Sequence, residues 1–162
     1  MAAADALVAG LLPRVWQLNA EYARALDDDR LEDWPELFTA ECLYKVTSAD
    51  NHRRGMAVGL IYADSKNMVR DRVAALRRAN IYERQSYRHI VGMPALLGQG
   101  DGGIRAETPF LVARIMRDGT TDLFATGRYL DLLVEEAGAL RFRERIAVCD
   151  SSRIDTLLAI PL

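Results

Sequence analysis

The stretch LRFRERIAVC, residues 140–149, alternates apolar and polar side chains along most of its length. Successive side chains of a β-strand point to opposite faces of the sheet, so this alternation is typical of a strand. One side comprises Leu140, Phe142, Ile146 and Val148. The other side carries Arg141, Arg143 and Arg145, followed by Ala147 and Cys149. The stretch therefore predicts a strand with one apolar face and one basic face.

The basic face has two interpretations. It is either a solvated surface or a protein interface, since arginine is enriched in interfaces and pairs directionally with carboxylates. Glu144 falls among the apolar positions, where a buried carboxylate needs a partner, and an arginine is the natural candidate.

Similar strand patterns occupy the chain on both sides of this stretch. The predicted strands are Tyr87 to Leu97, Ala106 to Arg117, Leu123 to Val134, Leu140 to Cys149 and Thr156 to Ile160. The turn signals between them are Gly98 to Gly103, Asp118-Gly119 and Glu135 to Gly138. Short turns imply hairpins, so we expect neighbouring strands to be antiparallel.

The first half of the chain has helical periodicity instead. A first helix is indicated by Leu7, Leu11, Leu18, Tyr22 and Leu26, which recur at three- and four-residue steps or their sums. A second, short helix is predicted after Asp29, whose spacing to Glu32 is that of a capping box. A strand is predicted at Cys42 to Thr47. A third helix is predicted with Asp64 or Ser65 as its cap and with Val69, Val73 and Leu76 as its inward stripe.

Helices followed by a long antiparallel sheet describe an α+β domain in which helices cover one face of a curved sheet. With 162 residues the chain has the size of a single domain, 1–162, and we expect about residues 1–12 to be loosely ordered.

Charge and composition exclude several classes of partner. The 21 basic and 23 acidic side chains nearly cancel, so no extended positive field is available for nucleic acid or an anionic membrane. No run approaches the ~20 apolar residues of a membrane span. We therefore expect a cytoplasmic protein, in which Cys42 and Cys149 are buried free thiols.

Five segments, in this order, resemble one known family. They are DWPELF at 33–38, CLY at 42–44, DRVAAL at 71–76, SYRHIVG at 86–92 and FRERIAVCD at 142–150. Together they are similar to the small (β) subunits of Rieske non-haem iron aromatic-ring-hydroxylating dioxygenases. DNH at 50–52, NIYER at 80–84 and DTLLAIPL at 155–162 look most like subunits that serve terephthalate and related aromatic carboxylates.

The resemblance implies a cone-shaped fold related to nuclear transport factor 2, of the cystatin-like kind. It also implies an α3β3 hexamer, with self-association of the small subunits as a trimer. The large (α) subunit would carry the Rieske 2Fe–2S cluster, the mononuclear iron and the substrate pocket. His52, His89, Cys42 and Cys149 cannot supply both metal sites, so we expect no catalytic, cofactor-binding or metal-binding residue in this chain.

Interface or structural roles are expected for Arg88, His89, Arg141, Arg143, Arg145 and Asp150. A rival hypothesis is a stand-alone dehydratase or isomerase of the same fold, with His89, Tyr22, Tyr44 and Tyr62 as its available acid–base groups. A small-ligand binding protein that uses the interior of the cone is a third.

Overall fold

The computed structural model describes residues 2–78, 84–100, 102–153, 158 and 160–162, with side chains from residue 9 onward. The helical elements are α1 (Ala2–Asp27), a 3₁₀ turn (Trp34–Leu37), α2 (Ala49–Arg53) and α3 (Lys66–Arg78). The strands are β1 (Phe38–Ser48), β2 (Ile61–Ala63), β3 (Gln85–Val91), β4 (Ala95–Gly100), β5 (Gly103–Met116), β6 (Thr121–Glu136) and β7 (Ala139–Cys149). None of the described helices is long and apolar enough to cross a membrane.

Helix α1 forms because its apolar residues lie on one stripe, and that stripe is buried against the sheet. The buried side chains are Leu11, Val15, Leu18, Tyr22 and Leu26. Burial of each large side chain stabilises the fold by roughly 1.5–3 kcal/mol. The helix already includes residues 2–12, and the loose order expected there stays a prediction.

The prediction of a second helix starting after Asp29 is wrong. Asp29 instead adopts a left-handed conformation with φ of 56° just after α1, a common way to end a helix. Only a single 3₁₀ turn follows, at Trp34–Leu37, and its N-cap Asp33 makes no side-chain capping hydrogen bond. The carboxylate of Asp29 accepts from Arg77 of α3 over 2.8 Å, so tertiary contacts replace the expected cap.

The third predicted helix is confirmed as α3. Its N-terminus is capped by Ser65, whose Oγ accepts from the backbone N of Met68 over 3.3 Å. Val69 and Val73 are buried against the sheet, and Leu76 packs beside them. The helix therefore uses the stripe that its sequence predicts.

The sheet has the order β2-β1-β7-β6-β5-β3. Strand β4 also pairs with β5, along the first part of β5, whereas β3 pairs with its last part. The β5–β6 and β6–β7 pairs are antiparallel hairpins, which confirms the turn at Asp118-Gly119, where Gly119 has φ of 87°. The β1–β7 pair is parallel, so the expectation of a wholly antiparallel sheet is corrected to a mixed one. Turn chemistry could not show this, because β1 and β7 are separated by most of the chain rather than by a hairpin.

Two predicted strands need further correction. The strand expected over residues 87–97 is divided into β3 and β4 by the segment around Gly92, whose backbone N donates to the carbonyl of Pro109 over 2.9 Å. A Cβ at Gly92 would lie 2.7 Å from Pro109 Cγ, so the close approach requires glycine. Of the strand expected at 156–160, Leu158 and Ile160 are not in a strand, and the other residues lie outside the described ones.

The core lies between the helices and the inner face of the curved sheet, the face that the helices cover. Its centre is aromatic: Trp34 packs edge-on against Tyr22, Phe38 and Tyr44. The hydroxyls of Tyr22 and Tyr44 both donate to the main-chain oxygen of Leu162. The α+β class and the cone-like arrangement are confirmed. On the opposite, outer face of the sheet, Ile90 of β3, Leu111 of β5 and Leu123 of β6 are exposed.

Candidate functional site

A β-bulge in β7 decides where the predicted site residues point. Phe142 lies opposite Leu133 and Glu144 lies opposite Leu132, which leaves Arg143 without a residue opposite it. An extra residue reverses the alternation of the residues that follow it, because the side-chain period of a strand is two. The single apolar face predicted for residues 140–149 therefore changes sides at residue 143.

Arg145 consequently points into the core, and its expected place on an exposed basic face is wrong. Its side chain is fully buried. Its Nε donates to Asp131 Oδ1 over 2.9 Å and its Nη2 donates to Asp131 Oδ2 over 2.7 Å. The Nη2 atom also donates to Oδ1 of Asn19 in α1. The guanidinium thus joins β7, β6 and α1 through a two-point ion pair and an amide.

Aromatic rings enclose the same guanidinium. Its central carbon lies 4.3 Å from the ring centroid of Tyr22, 4.0 Å from that of Tyr129 and 3.9 Å from that of Phe142. These are cation–π distances. The Nη1 atom of Arg145 is buried and has no hydrogen-bond partner among the described residues. We call Arg145, Asp131, Asn19 and the three rings the arginine cage.

Electrostatics support an ionised pair inside the arginine cage. Burial alone would lower the pKa of Arg145, but the adjacent Asp131 carboxylate outweighs that effect and the pKa is raised. Burial raises the pKa of Asp131, and Arg145 opposes the rise. Burial also raises the pKa of Tyr22 to about 12. The two-point pair with Arg145 therefore opposes the protonation of Asp131 that burial favours, and the cage is a structural centre.

The other residues of the basic face remain accessible. Arg143 is exposed, and Arg141 is half-buried with its Nη1 donating to the Leu140 carbonyl over 3.1 Å. Neither arginine forms an ion pair within the described part of the chain. Glu144 was expected to face inward, but the bulge places it opposite Leu132 with partial exposure. Among the residues that the structure describes, no arginine forms an ion pair with Glu144.

His89 and Arg88 point in opposite directions from the edge strand β3. The buried carboxylate of Asp27, the last residue of α1, accepts from the backbone N of His89 over 2.9 Å and lies 2.6 Å from its Nδ1. Arg88 is exposed, and its Nη1 lies 3.8 Å from the same carboxylate. Asp27 therefore joins the end of α1 to an edge strand whose N–H would otherwise be unpaired.

The acid–base groups of the rival enzyme hypothesis do not come together. Nε2 of His89 is buried and has no partner among the described residues. Tyr22 and Tyr44 are engaged with each other and with Leu162, while Tyr62 lies on β2, at the opposite edge of the sheet from β3. A base must reach a substrate proton within ~3 Å, and these residues do not form such a constellation.

Metal-ligating side chains are also dispersed. His52 lies on α2, His89 on β3, Cys42 on β1 and Cys149 at the end of β7. Among the residues described, no group of three or more such side chains could hold a metal ion. Both thiols are free and buried, as predicted, and burial raises the pKa of each to about 11. The donors present do not fit a Rieske cluster, which needs two Cys and two His in one place.

Asp150 lies just beyond β7 on the outer side of the sheet. Its Oδ2 accepts from Thr126 Oγ1 over 2.8 Å, and its backbone N donates to the Thr126 carbonyl over 2.9 Å. The carboxylate is exposed and forms no ion pair with any described residue. It remains available to a partner.

Sequence reasoning missed the partners of these groups. Asp131 could have been found, because it lies two residues from both Tyr129 and Leu133 on the inward side of β6, where an acid requires a cation. Asn19 and Asp27 gave no comparable signal, since their partners are distant in the sequence. The outer apolar side chains Ile90, Leu111 and Leu123 were also missed.

Comparison with known proteins connects this geometry to a family. The model of the "Ring hydroxylating beta subunit" family matches residues 21–156. The chain belongs to this family. It is 52% identical over 144 residues to subunit beta 1 of the terminal oxygenase component of terephthalate 1,2-dioxygenase from Comamonas sp., covering 89% of this chain and 94% of that one. It is 38% identical over 148 residues to the anthranilate 1,2-dioxygenase small subunit of Burkholderia cepacia, covering 91% and 92% of the two chains.

Solved structures agree with the family assignment. The β subunit of a proposed aromatic-ring-hydroxylating dioxygenase from Novosphingobium aromaticivorans superposes with a TM-score of 0.88 at 36% identity, covering 96% of this chain and 99% of that one. The β subunit of benzoate 1,2-dioxygenase from Burkholderia mallei has a TM-score of 0.71 at 15% identity, covering 86% and 90%, and shows the shared fold. This chain thus shares with these two β subunits the cone-like fold, in which helices pack on a curved mixed sheet.

Proposed function

We propose that this chain is the non-catalytic small subunit of the terminal oxygenase of an aromatic-ring-hydroxylating dioxygenase. The observation that carries the proposal is 52% identity to a terephthalate 1,2-dioxygenase β subunit across 89% of the chain. The metal centres, a Rieske 2Fe–2S cluster and a mononuclear iron, belong to the large subunit in this proposal. The dispersed donors of the small chain support that division of roles.

The interior supports an assembly role rather than a chemical one. In the described part of the cone, the arginine cage and its aromatic neighbours fill the centre. Such a rigid, close-packed body holds its surface features in fixed positions, which is what an assembly partner requires.

Partners and location follow from the same proposal. The small subunit associates with the large one as an α3β3 hexamer in the cytoplasm, and the small subunits contact one another as a trimer. The buried free thiols are consistent with a reducing compartment. The substrate is an aromatic carboxylate of the terephthalate type, supported by the names of the relatives that are 52% identical.

The proposed contact residues are the predicted ones that remain accessible: Arg88, Arg141, Arg143 and Asp150. Arg143 is the most informative, because the bulge leaves it exposed beside the buried Arg145. Charge reversal at Arg143 should weaken association while leaving the fold intact. Arg145 and His89 are proposed to have structural roles.

Co-expression tests the proposal. The small chain is produced together with a large oxygenase subunit from the same source. The complex is isolated through a tag on the large chain, and cis-dihydroxylation of terephthalate is assayed with the cognate electron donors. We expect a stoichiometric complex that is active, with iron and the visible Rieske spectrum in the complex but not in the small chain alone. Failure of the two chains to associate, or a tightly bound iron–sulfur centre in the small chain alone, would refute it.

A further inference from the structure

Leu162 lies in the core of the cone, where buried tyrosines bind its main chain. Its side chain is completely buried, and the nearby Leu158 is 7% exposed. The hydroxyls of Tyr22 and Tyr44 donate to the main-chain oxygen of Leu162, that of Tyr44 over 2.9 Å. The backbone N of Leu162 donates in turn to Tyr44 Oη over 3.2 Å. Both polar groups of Leu162 are therefore held by side chains of the cone, as those of a bound ligand would be.

The donors around this oxygen are more numerous than the oxygen uses. Burial raises the pKa of both phenols, that of Tyr22 to about 12, so Tyr22 and Tyr44 stay protonated and donate at neutral pH. Trp34 Nε1 and the Tyr129 hydroxyl are buried without a hydrogen-bond partner among the described residues. The ring of Trp34 contacts both phenols, and the ring of Tyr129 contacts Tyr22. A carboxylate has two oxygens with about four acceptor sites, so it matches this set of donors better than one amide oxygen does.

A cation stands beside the same tyrosines. Arg72 of α3 is close enough to Tyr44 for its charge to oppose the rise in the pKa of that phenol. Its Nη2 also donates to the main-chain oxygen of Leu158 over 2.7 Å, so the guanidinium helps to hold the segment that carries Leu162. A buried carboxylate is stable only when it is hydrogen-bonded and paired with a cation. The position of Arg72 therefore favours an anionic ligand over a neutral one.

We infer that the space filled by Leu162 is a binding site for a small apolar carboxylate, which the chain closes with its own residues. Leu158 and residues 160–162, here called the closing segment, occupy the site in place of the ligand. The isobutyl group of Leu162 stands in for the apolar part of the ligand, and its main-chain oxygen stands in for one carboxylate oxygen. The proposed assembly role does not require this site. The site makes the small subunit responsive to an organic acid.

The first test removes the side chain of Leu162 from the full chain. Isothermal titration calorimetry measures the binding of isocaproate, which is leucine without its amino group. The apparent dissociation constant of a ligand that binds only the open form is the intrinsic constant divided by the open fraction. We therefore expect Leu162→Gly to bind isocaproate at least about tenfold more tightly than the unaltered chain does. Leu97→Gly is the matched control, because Leu97 is 62% exposed on β4, and it should match the unaltered chain.

The second test distinguishes a carboxylate site from an apolar cavity. Isohexanol has the same alkyl chain without the charge, and it should bind Leu162→Gly at least about tenfold more weakly than isocaproate does. Adding Tyr44→Phe removes one donor and keeps the ring, so it should weaken isocaproate binding by about tenfold. Circular dichroism checks the fold of each variant. If Leu162→Gly does not fold, Leu162→Ala takes its place with the same expectations.

The third test concerns exchange in the unaltered chain. Excess isocaproate should speed hydrogen exchange at the Leu162 amide, which loses its bond to Tyr44, and should leave the His89 amide, which is bound to Asp27, unchanged.

Several results would overturn the inference. They are equal affinities of Leu162→Gly for the acid and the alcohol, isocaproate binding that Leu162→Gly does not improve or Tyr44→Phe does not weaken, and protection of the Leu162 amide that excess acid does not change. All of these measurements use the small chain alone. The proposed function fails separately, if the unaltered chain does not bind the large subunit.

Discussion

Removing one member of the Arg145–Asp131 pair should destabilise the chain far more than removing both. Asp131→Leu leaves a fully buried guanidinium with only Asn19 and the aromatic rings as partners. Arg145→Met leaves a fully buried carboxylate with no cation. Breaking a buried ion pair from either side costs about 3–5 kcal/mol of the free energy of unfolding.

The double variant Arg145→Met/Asp131→Leu removes both charges and fills the space with apolar groups. Such replacements are often neutral or stabilising by about 1–4 kcal/mol. Here Asn19 Oδ1 loses its donor, which costs about 1–3 kcal/mol, and the rings lose a cation. We therefore expect the double variant to be roughly 1–3 kcal/mol less stable than the unaltered chain, but more stable than either single variant.

Urea unfolding followed by circular dichroism measures these differences at one fixed protein concentration, because self-association would otherwise contribute. Arg143→Met is the matched control: it removes an arginine two residues away that is exposed at the bulge, and its effect should stay within about 0.5 kcal/mol. A cost below about 1 kcal/mol for Asp131→Leu, or equal costs for Arg143→Met and Arg145→Met, would refute the reasoning.

Three further predictions concern the surface network, a strand glycine and the end of α1. The hydrogen bonds from Arg77 lower the pKa of Glu32 to about 2, so their stabilisation is present above about pH 4.5 and is lost as pH falls through about 2. Arg77→Gln should cost less than about 1 kcal/mol at neutral pH. The difference in melting temperature should shrink as pH falls toward 2, and what remains comes from the hydrogen bond that Arg77 donates to the backbone carbonyl of Asp29, which does not titrate. Gly127→Ala should lower the free energy of unfolding by about 1–3 kcal/mol, because its Cβ would lie 2.1 Å from a carbonyl oxygen of β7. Gly100→Ala is the control: a Cβ there would meet open space, so its effect in the same urea titration should be smaller. Asp27→Ala should remove the acceptor of an edge-strand amide. Amide hydrogens of β3 should therefore exchange faster in the variant than in the unaltered chain, by more than any change at β6. Unchanged protection at β3 would contradict the role given to Asp27.

Much of the fold could be predicted because its signals are local. The stripes of α1 and α3 and the hairpin at Asp118-Gly119 depend on residues close together in the sequence. The second helix was mispredicted because the capping-box spacing at Asp29 was outweighed by the contact with Arg77, 48 residues away. The resemblance located in the segments at 33–38, 71–76 and 142–150 led to the correct family.

The candidate site was predicted less well, because its geometry depends on pairings between distant strands. Arg88 and Asp150 are accessible, and their interface or structural roles stay predictions. The sequence indicated neither the exposed apolar side chains of β3, β5 and β6 nor the inward turn of Arg145. Leu111 and Leu123 lie in strands that have apolar residues on both faces, so the sequence pattern does not distinguish exposed from buried positions. Only the folded sheet shows that these two leucines are exposed.

The sequence by itself determined helices α1 and α3, the two hairpins formed by β5, β6 and β7, and the family, since side-chain periodicity and turn chemistry act over a few residues. Tertiary structure alone decided that β1 and β7 pair in parallel and which side chains of β7 face the core. The bulge at Arg143 arises from the register of β7 against β6, and a shift of one residue exchanges the faces of a strand. That shift turns Arg145 toward Asp131, 14 residues away, and Asn19, 126 residues away. The burial of Arg145 is stable because Asp131 and Asn19 accept hydrogen bonds from its guanidinium once the chain has folded.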